Sequence, residues 1–302
     1  MSLFLTSDAE LRSGWRCAVY LAVLVILLFV TLTLLSLIVP EGDLSVQRII
    51  ALNSLALFPP AALTLWFMAR QVDRLPIEVF GVGLHEGWIR DIGAGLLMAA
   101  LMIGLFVGVG AVAGSFTAEV PEGEDTLSGI LLIVLLLGLS AANEELIFRG
   151  YPLQVLMVGI GRGPAILVVS AVFGLGHHLN PGATWLGTAN TFLAGILLCL
   201  AYLRTRSLWF PYGLHIGWNA GIGIVFGFPV SGVDFPSLLE SELLGPAWIT
   251  GGAFGPEGGI LGTGVIIAAV VFMAGTGRWL GVSPRIQTLL DRHSTKIYNP
   301  TV

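Results

Sequence analysis

The sequence predicts an all-α fold: a polytopic transmembrane helical bundle of about eight spans with both termini in the cytoplasm. Three observations predict it. Of 302 residues, 55% are hydrophobic and only 11% charged, with a mean hydropathy of +0.89, whereas a soluble domain carries about 25% charged residues. Apolar runs of membrane-spanning length recur along the chain. The basic residues cluster in alternate connecting segments, the pattern of cytoplasmic loops.

Residues 1–16 are polar and place Arg12 and Arg16 just before an apolar run over residues 17–39. That run is longer than the 7–15 residues of a signal-peptide core, so it reads as a retained first span. The second span covers residues 49–69, where Pro59-Pro60 predicts a kink or break. The connector 70–91 carries Arg70, Arg74 and Arg90, and its stretch 75–82 suits the membrane surface. The third span, 92–114, has glycines at 93, 95, 104, 108, 110 and 114, a spacing that lets helices pack closely. Loop 115–127 holds Glu119, Glu122, Glu124 and Asp125 and no basic residue.

The fourth span, 127–148, is followed by residues 151–158, which carry Pro152 at their start and are too short to cross; they read as an elbow or interfacial helix. Spans five to eight cover 164–179, 185–203, 208–228 and 258–275. Asn180-Pro181-Gly182 marks a turn. Loop 229–257 is acidic, rich in glycine and proline, and without Lys or Arg; the tail from 277 holds Arg278, Arg285, Arg292 and Lys296. With a cytoplasmic N-terminus, eight spans leave only Arg48 of the 14 basic residues outside, Arg149 being counted as cytoplasmic. The division that follows is one membrane-embedded domain, 1–302, with N-terminal spans one to three in 17–126, a core of spans four to seven in 127–228 and a last span at 258–275.

No basic cluster points to nucleic acid. Cys17 and Cys199 both lie in apolar runs and offer neither a disulfide framework nor a metal-ligand spacing. No internal repeat of the transporter kind is visible.

Ionisable residues inside spans carry the functional signal. Each costs roughly 2.5–3.5 kcal/mol near mid-membrane on insertion scales. Glu144 and Glu145 close an apolar run, and Arg149 follows Glu145 by four residues, on the same helix face. Glu144 points about 100° away around the helix. His177-His178 lie in span five; His215 and Asn219, one turn apart, lie in span seven. Asn190 reads as helix–helix glue. A carboxylate beside a neutral histidine deprotonates water, and a histidine with an amide one turn away donates to a developing oxyanion. No serine or cysteine has a nucleophile's surroundings. Two or three histidines with a glutamate also make a zinc set, but the spacing fits neither HExxH nor another compact zinc motif.

These residues resemble a known family. Glu144-Glu145-x-x-x-Arg149 is similar to the EExxxR motif of the CPBP (Abi) family of intramembrane endopeptidases, related to the type II CAAX prenyl endopeptidase and to bacteriocin-processing or immunity proteins. Phe173 to His177 matches its FxxxH motif, followed by Asn180-Pro181, and His215 to Asn219 its HxxxN motif. The resemblance covers residues 140–223. It implies that Glu144 activates water with His177 as partner, that His215 and Asn219 form an oxyanion hole, and that Glu145 and Arg149 support the site as an ion pair. It implies catalysis without metal or cofactor, and leaves His178 structural. The implied partners are the lipid bilayer and a peptide or lipidated protein: a prenylated CAAX terminus, or in a bacterial inner membrane, which the compact length favours, a leader or anchored segment. A non-catalytic membrane scaffold or immunity protein is the principal alternative, ahead of a zinc protease or a proton-coupled transporter.

One tension stands. A fourth span that leaves the membrane at Arg149 puts Glu144 about 7 Å deep at roughly 1.5 Å per residue, and His177 about 20 Å along its own span. The depths meet only if the elbow stays submerged or span five starts deep, in a cavity expected to open to the cytoplasm.

Overall fold

The computed structural model describes residue 4 and residues 11–39, 46–121, 127–276 and 280–293. Glu122, Glu124, Asp125, Arg278 and Lys296 lie outside the described residues. The chain is mostly helical. Its elements are α1 (Ser13–Ile38), α2 (Val46–Phe67), α3 (Trp88–Ala113), β1 (Phe116–Glu119), α4 (Leu127–Glu145), α5 (Pro152–Ile160), α6 (Arg162–His177), α7 (Trp185–Thr205), α8 (Trp209–Ala220), β2 (Glu240–Leu243), α9 (Ala247–Thr250), α10 (Ile260–Gly275) and α11 (Pro284–Arg292). Single π turns extend α2, α4 and α8 over Met68–Val72, Leu146–Gly150 and Gly221–Val225.

Among the described residues, five helical stretches are long and apolar enough to cross a membrane: Ser13–Ile38, Ala51–Val72, Trp88–Ala113, Gly129–Ile160 and Trp185–Thr205. The shorter apolar helices α6 and α10, with α8 and its π turn, fall where the other three spans are predicted. Leu21, Phe29, Leu101, Leu135 and Val271 are exposed, as side chains facing lipid are. Helix α2 runs unbroken through Pro59 and Pro60; in a membrane, neighbouring helices and local backbone adjustment re-satisfy the groups a proline frees.

The helices share two ends of opposite character. At one, Arg16 pairs with Asp73 at 2.7 Å and donates to the Tyr151 hydroxyl, whose ring stacks on Tyr20. Arg204 caps the end of α10 through the carbonyls of Met273 and Thr276. Arg162, Arg204, Arg206 and Gln287 surround one cavity there. The amphipathic α11 buries Ile286 and Leu290 in an apolar cluster with Leu24, Phe80 and Val155. At the other end, β1 and β2 pair antiparallel, Phe116 opposite Leu243 and Glu119 opposite Glu240, and the 229–257 loop packs on the Asn180–Gly182 turn. Gly232 has φ +84°, and a Cβ there would collide with the Pro181 carbonyl.

The ribbon departs from the all-helical expectation. Its four-residue strands lie more than a hundred residues apart, with none of the hairpin signals that mark neighbouring strands.

Helix α8 is held by glycine contacts. Gly213, Gly217 and Gly221 form a stripe on one face. A Cβ at Gly213 would strike the Ile92 carbonyl, and one at Gly95 of α3 the Phe210 carbonyl; Gly217 meets Ala99 and Gly221 meets Ile103. Of the α3 glycines, Gly93, Gly104 and Gly108 have open space, so close packing explains only part of that series. His215 and Asn219 lie across α8 from the stripe, so the contact with α3 sets where they point. Gly213→Val is expected to lower the melting temperature, since overpacking costs about 1–3 kcal/mol, and Gly104→Val to leave it unchanged. Equal melting temperatures in detergent would refute this account of the contact.

Candidate active site

Helix α4 does not end at the glutamates. A π turn follows, a device that recurs at functional sites, and it carries Arg149 inward. Arg149 is fully buried. Its Nη1 donates to Glu145 Oε1 at 3.1 Å and its Nη2 to the Gly195 carbonyl in α7 at 3.5 Å. The guanidinium lies 4.5 Å from the centre of the Phe173 ring.

This departs from two expectations: the apolar helical stretch does not end at Arg149 but runs from Gly129 to Ile160, and Arg149 is buried within the protein and not placed in a loop. A paired, carbonyl-bonded and ring-stacked guanidinium has no need to reach water, and the apolar sequence continues through α5. The depth tension goes with it, because the folded chain brings Glu144 beside both histidines.

Glu145 has a second partner. Its Oε1 also accepts from His215 Nδ1 at 2.9 Å, so one carboxylate joins Arg149 to α8. Glu144 points elsewhere, with Oε2 3.8 Å from His177 Nε2 and 3.7 Å from His215 Nε2. Among the described residues, nothing hydrogen-bonds to this buried oxygen. The histidine tautomers follow from their other contacts. His177 Nδ1 is 2.8 Å from the Phe173 carbonyl, an acceptor only, so Nδ1 carries the proton. His215 Nδ1 faces a carboxylate and carries one too. Both Nε2 atoms are therefore directed to Glu144 Oε2 at spacings wider than a direct hydrogen bond and suited to a shared water.

Glu144, His177, His215 and Asn219 line one cavity of about 330 Å³. Among the described residues, no group of three or more His, Cys, Asp and Glu side chains is arranged to hold a metal ion. His178 does not line the cavity; its Nδ1 meets Thr188 Oγ1 at 2.7 Å and its ring stacks on Trp185. Asn190 is glue: its amide donates to the carbonyls of Glu257 and Gly259 and accepts from Thr263.

The structure adds residues that sequence reasoning missed. Glu257 lines the same cavity. It accepts from Trp218 Nε1 at 2.8 Å, from the Ser231 amide at 2.9 Å and from the Ser231 hydroxyl at 2.5 Å. The Ser231 carbonyl in turn accepts from Asn180, just past His177. One carboxylate thus fastens the loop to both histidine-bearing helices. In sequence nothing separates it from Glu119 or Glu240. Asn143, buried beside Glu144, donates to the Ser54 carbonyl and ties α4 to α2. Glu257→Ala is expected to lower the melting temperature, because leaving a buried donor unpaired costs roughly 1–3 kcal/mol. Glu257→Gln, which keeps an acceptor, should recover part of the loss; equal stability of all three proteins would deny the loop this role.

The helices and the buried polar cavity define an integral membrane protein with an internal ionisable site. Residues 126–221 match the family model described as Type II CAAX prenyl endopeptidase Rce1-like. That segment, about a third of the chain, spans every motif residue from Glu144 to Asn219 and is similar to that family. Glu257 and the first three spans lie outside the match. No curated protein and no solved structure matches the chain.

Proposed function

We propose that the chain is an intramembrane endopeptidase that cleaves a peptide bond of a membrane-associated peptide or lipidated protein with glutamate-activated water. The observation that carries this is the convergence of His177 Nε2 and His215 Nε2 on Glu144 Oε2 inside a cavity. A water between Glu144 and His177 donates to both and turns its lone pair towards the substrate carbonyl. As its oxygen bonds to the carbonyl carbon, Glu144 takes its proton. The oxyanion receives hydrogen bonds from Asn219 and His215. Because Nδ1 of His215 already donates to Glu145, an Nε2 that donates requires the imidazolium. Collapse of the intermediate breaks the C–N bond, and Glu144 returns the proton to the leaving amine.

The wider proposal is a single domain of eight spans with both termini cytoplasmic, in a bacterial inner membrane. The described arginines other than Arg48 and the buried Arg149 favour it, since they gather at the end where the N-terminus of α1 and α11 lie. The site residues supply a base, its partner and the oxyanion donors, so the reaction proceeds without metal. Hydrolysis of membrane peptides by the protein in lipid vesicles tests the reading, with Glu144→Gln as control. A chelator is expected to leave the rate unchanged; loss of activity that zinc restores would overturn metal-free catalysis, and no hydrolysis of any membrane peptide would favour a scaffold.

A further inference from the structure

The two ends of the bundle differ in what separates them from the catalytic groups. Towards the arginine end the packing directly beneath the catalytic groups is close, and the cavity among Arg162, Arg204 and Gln287 shares no lining residue with the catalytic one. Tyr151, Leu153 and Tyr202 are fully buried, Leu208 nearly so, and the Arg149–Glu145 pair closes the layer beneath the cavity. Towards the acidic end the cavity wall is polar: Asn180, Asn190, Thr191, Ser231 and Glu257 all line it. Every loop residue in that wall comes from the segments 180–184 and 229–259. The loop 229–257 contains no Lys or Arg, while the arginines crowd the opposite end.

A hydrolytic site needs a water path, and water follows open polar walls rather than a close-packed layer whose polar groups are already paired. We infer that water and substrate enter the cavity from the acidic end, and that this end faces away from the cytoplasm. The second half follows from the positive-inside bias of short loops and rests on the orientation proposed above. It replaces the cytoplasmic opening expected from sequence. The substrate is then a polypeptide whose cleavable segment lies at the extracytoplasmic face. A lipidated protein held on the cytoplasmic leaflet meets the arginine end, which the close-packed layer separates from Glu144.

The test is accessibility of introduced cysteines to a small, charged, membrane-impermeant thiol reagent, in right-side-out and inverted vesicles. Asp234→Cys reports the acidic end and Gln287→Cys the arginine end. Ser140→Cys, one turn before Glu144 and in the cavity wall, reports entry. The parent chain, with Cys17 partly and Cys199 fully buried, gives the background. The expected result is modification of Asp234→Cys and Ser140→Cys in right-side-out vesicles and of Gln287→Cys in inverted ones. Modification of Ser140→Cys only together with Gln287→Cys would overturn the route of entry. So would a Ser140→Cys that reacts from neither side. Modification of Asp234→Cys only in inverted vesicles would overturn the orientation. None of these readouts needs turnover, so the inference stands or falls separately from the proposed hydrolysis.

Discussion

Glu144→Gln is expected to give a normally folded protein that hydrolyses its substrate about 10²–10⁴-fold more slowly, the usual loss for a general base. Loss of a sole water activator lies at the upper end of that range. Glutamine keeps the size of the side chain and an oxygen for a hydrogen bond, but it accepts no proton at neutral pH. The same change relieves a cost. Glu144 Oε2 is buried, and among the described residues it lacks a hydrogen-bond partner; an ionised carboxylate in such a place is expensive unless compensated. The melting temperature should therefore hold or rise while turnover collapses. That opposition identifies a group kept for chemistry and not for stability. Turnover per folded molecule and melting temperature, measured on the same detergent samples, check it. Wild-type turnover in Glu144→Gln would remove Glu144 from the role of base.

What was legible in the sequence was what violated the rule that apolar spans carry no charge. Glu144, His177 and His215 stood out because each costs energy in a membrane, and their spacing resembles a family motif. The spans were legible for the same reason, since length and hydropathy bound them. What stayed hidden was pairing across distance. The bond from Glu145 to His215 joins positions 70 residues apart, and an i, i+4 arginine already accounted for Glu145. The burial of Arg149 was not legible because a charge after an apolar run resembles a helix leaving the membrane; only the Gly195 carbonyl and the Phe173 ring show what receives it. Glu257 was hidden by its company, one carboxylate in a loop of many. The glycine stripe on α8 was overlooked beside the more numerous glycines of α3, several of which face open space. The first family of signals is local energy; the second exists only in the folded chain.

Glu145→Gln should behave in the opposite way to its neighbour, because Glu145 Oε1 serves Arg149 and His215 together. Removing one member of a buried ion pair costs roughly 3–5 kcal/mol, since the other charge remains without compensation. Arg149 is fully buried, so the expected result is poor expression and a clearly lower melting temperature. Turnover per folded molecule should fall as well, because His215 loses the carboxylate that fixes its ring and supports its second proton. The double change Glu145→Gln/Arg149→Met separates the two effects. It removes both charges, and replacing a buried pair by groups of similar volume is often neutral or stabilising, so the melting temperature should recover. Turnover should not recover, because a neutral amide does not hold His215 as an imidazolium. Contacting residues are where additivity fails, so a strong positive coupling in stability is expected alongside none in rate. Two results would break the account: loss of turnover in Glu145→Gln at unchanged stability, or a double variant that regains both. The first would make Glu145 a participant in the chemistry; the second would make the Arg149 pair its only task and leave the bond to His215 without consequence.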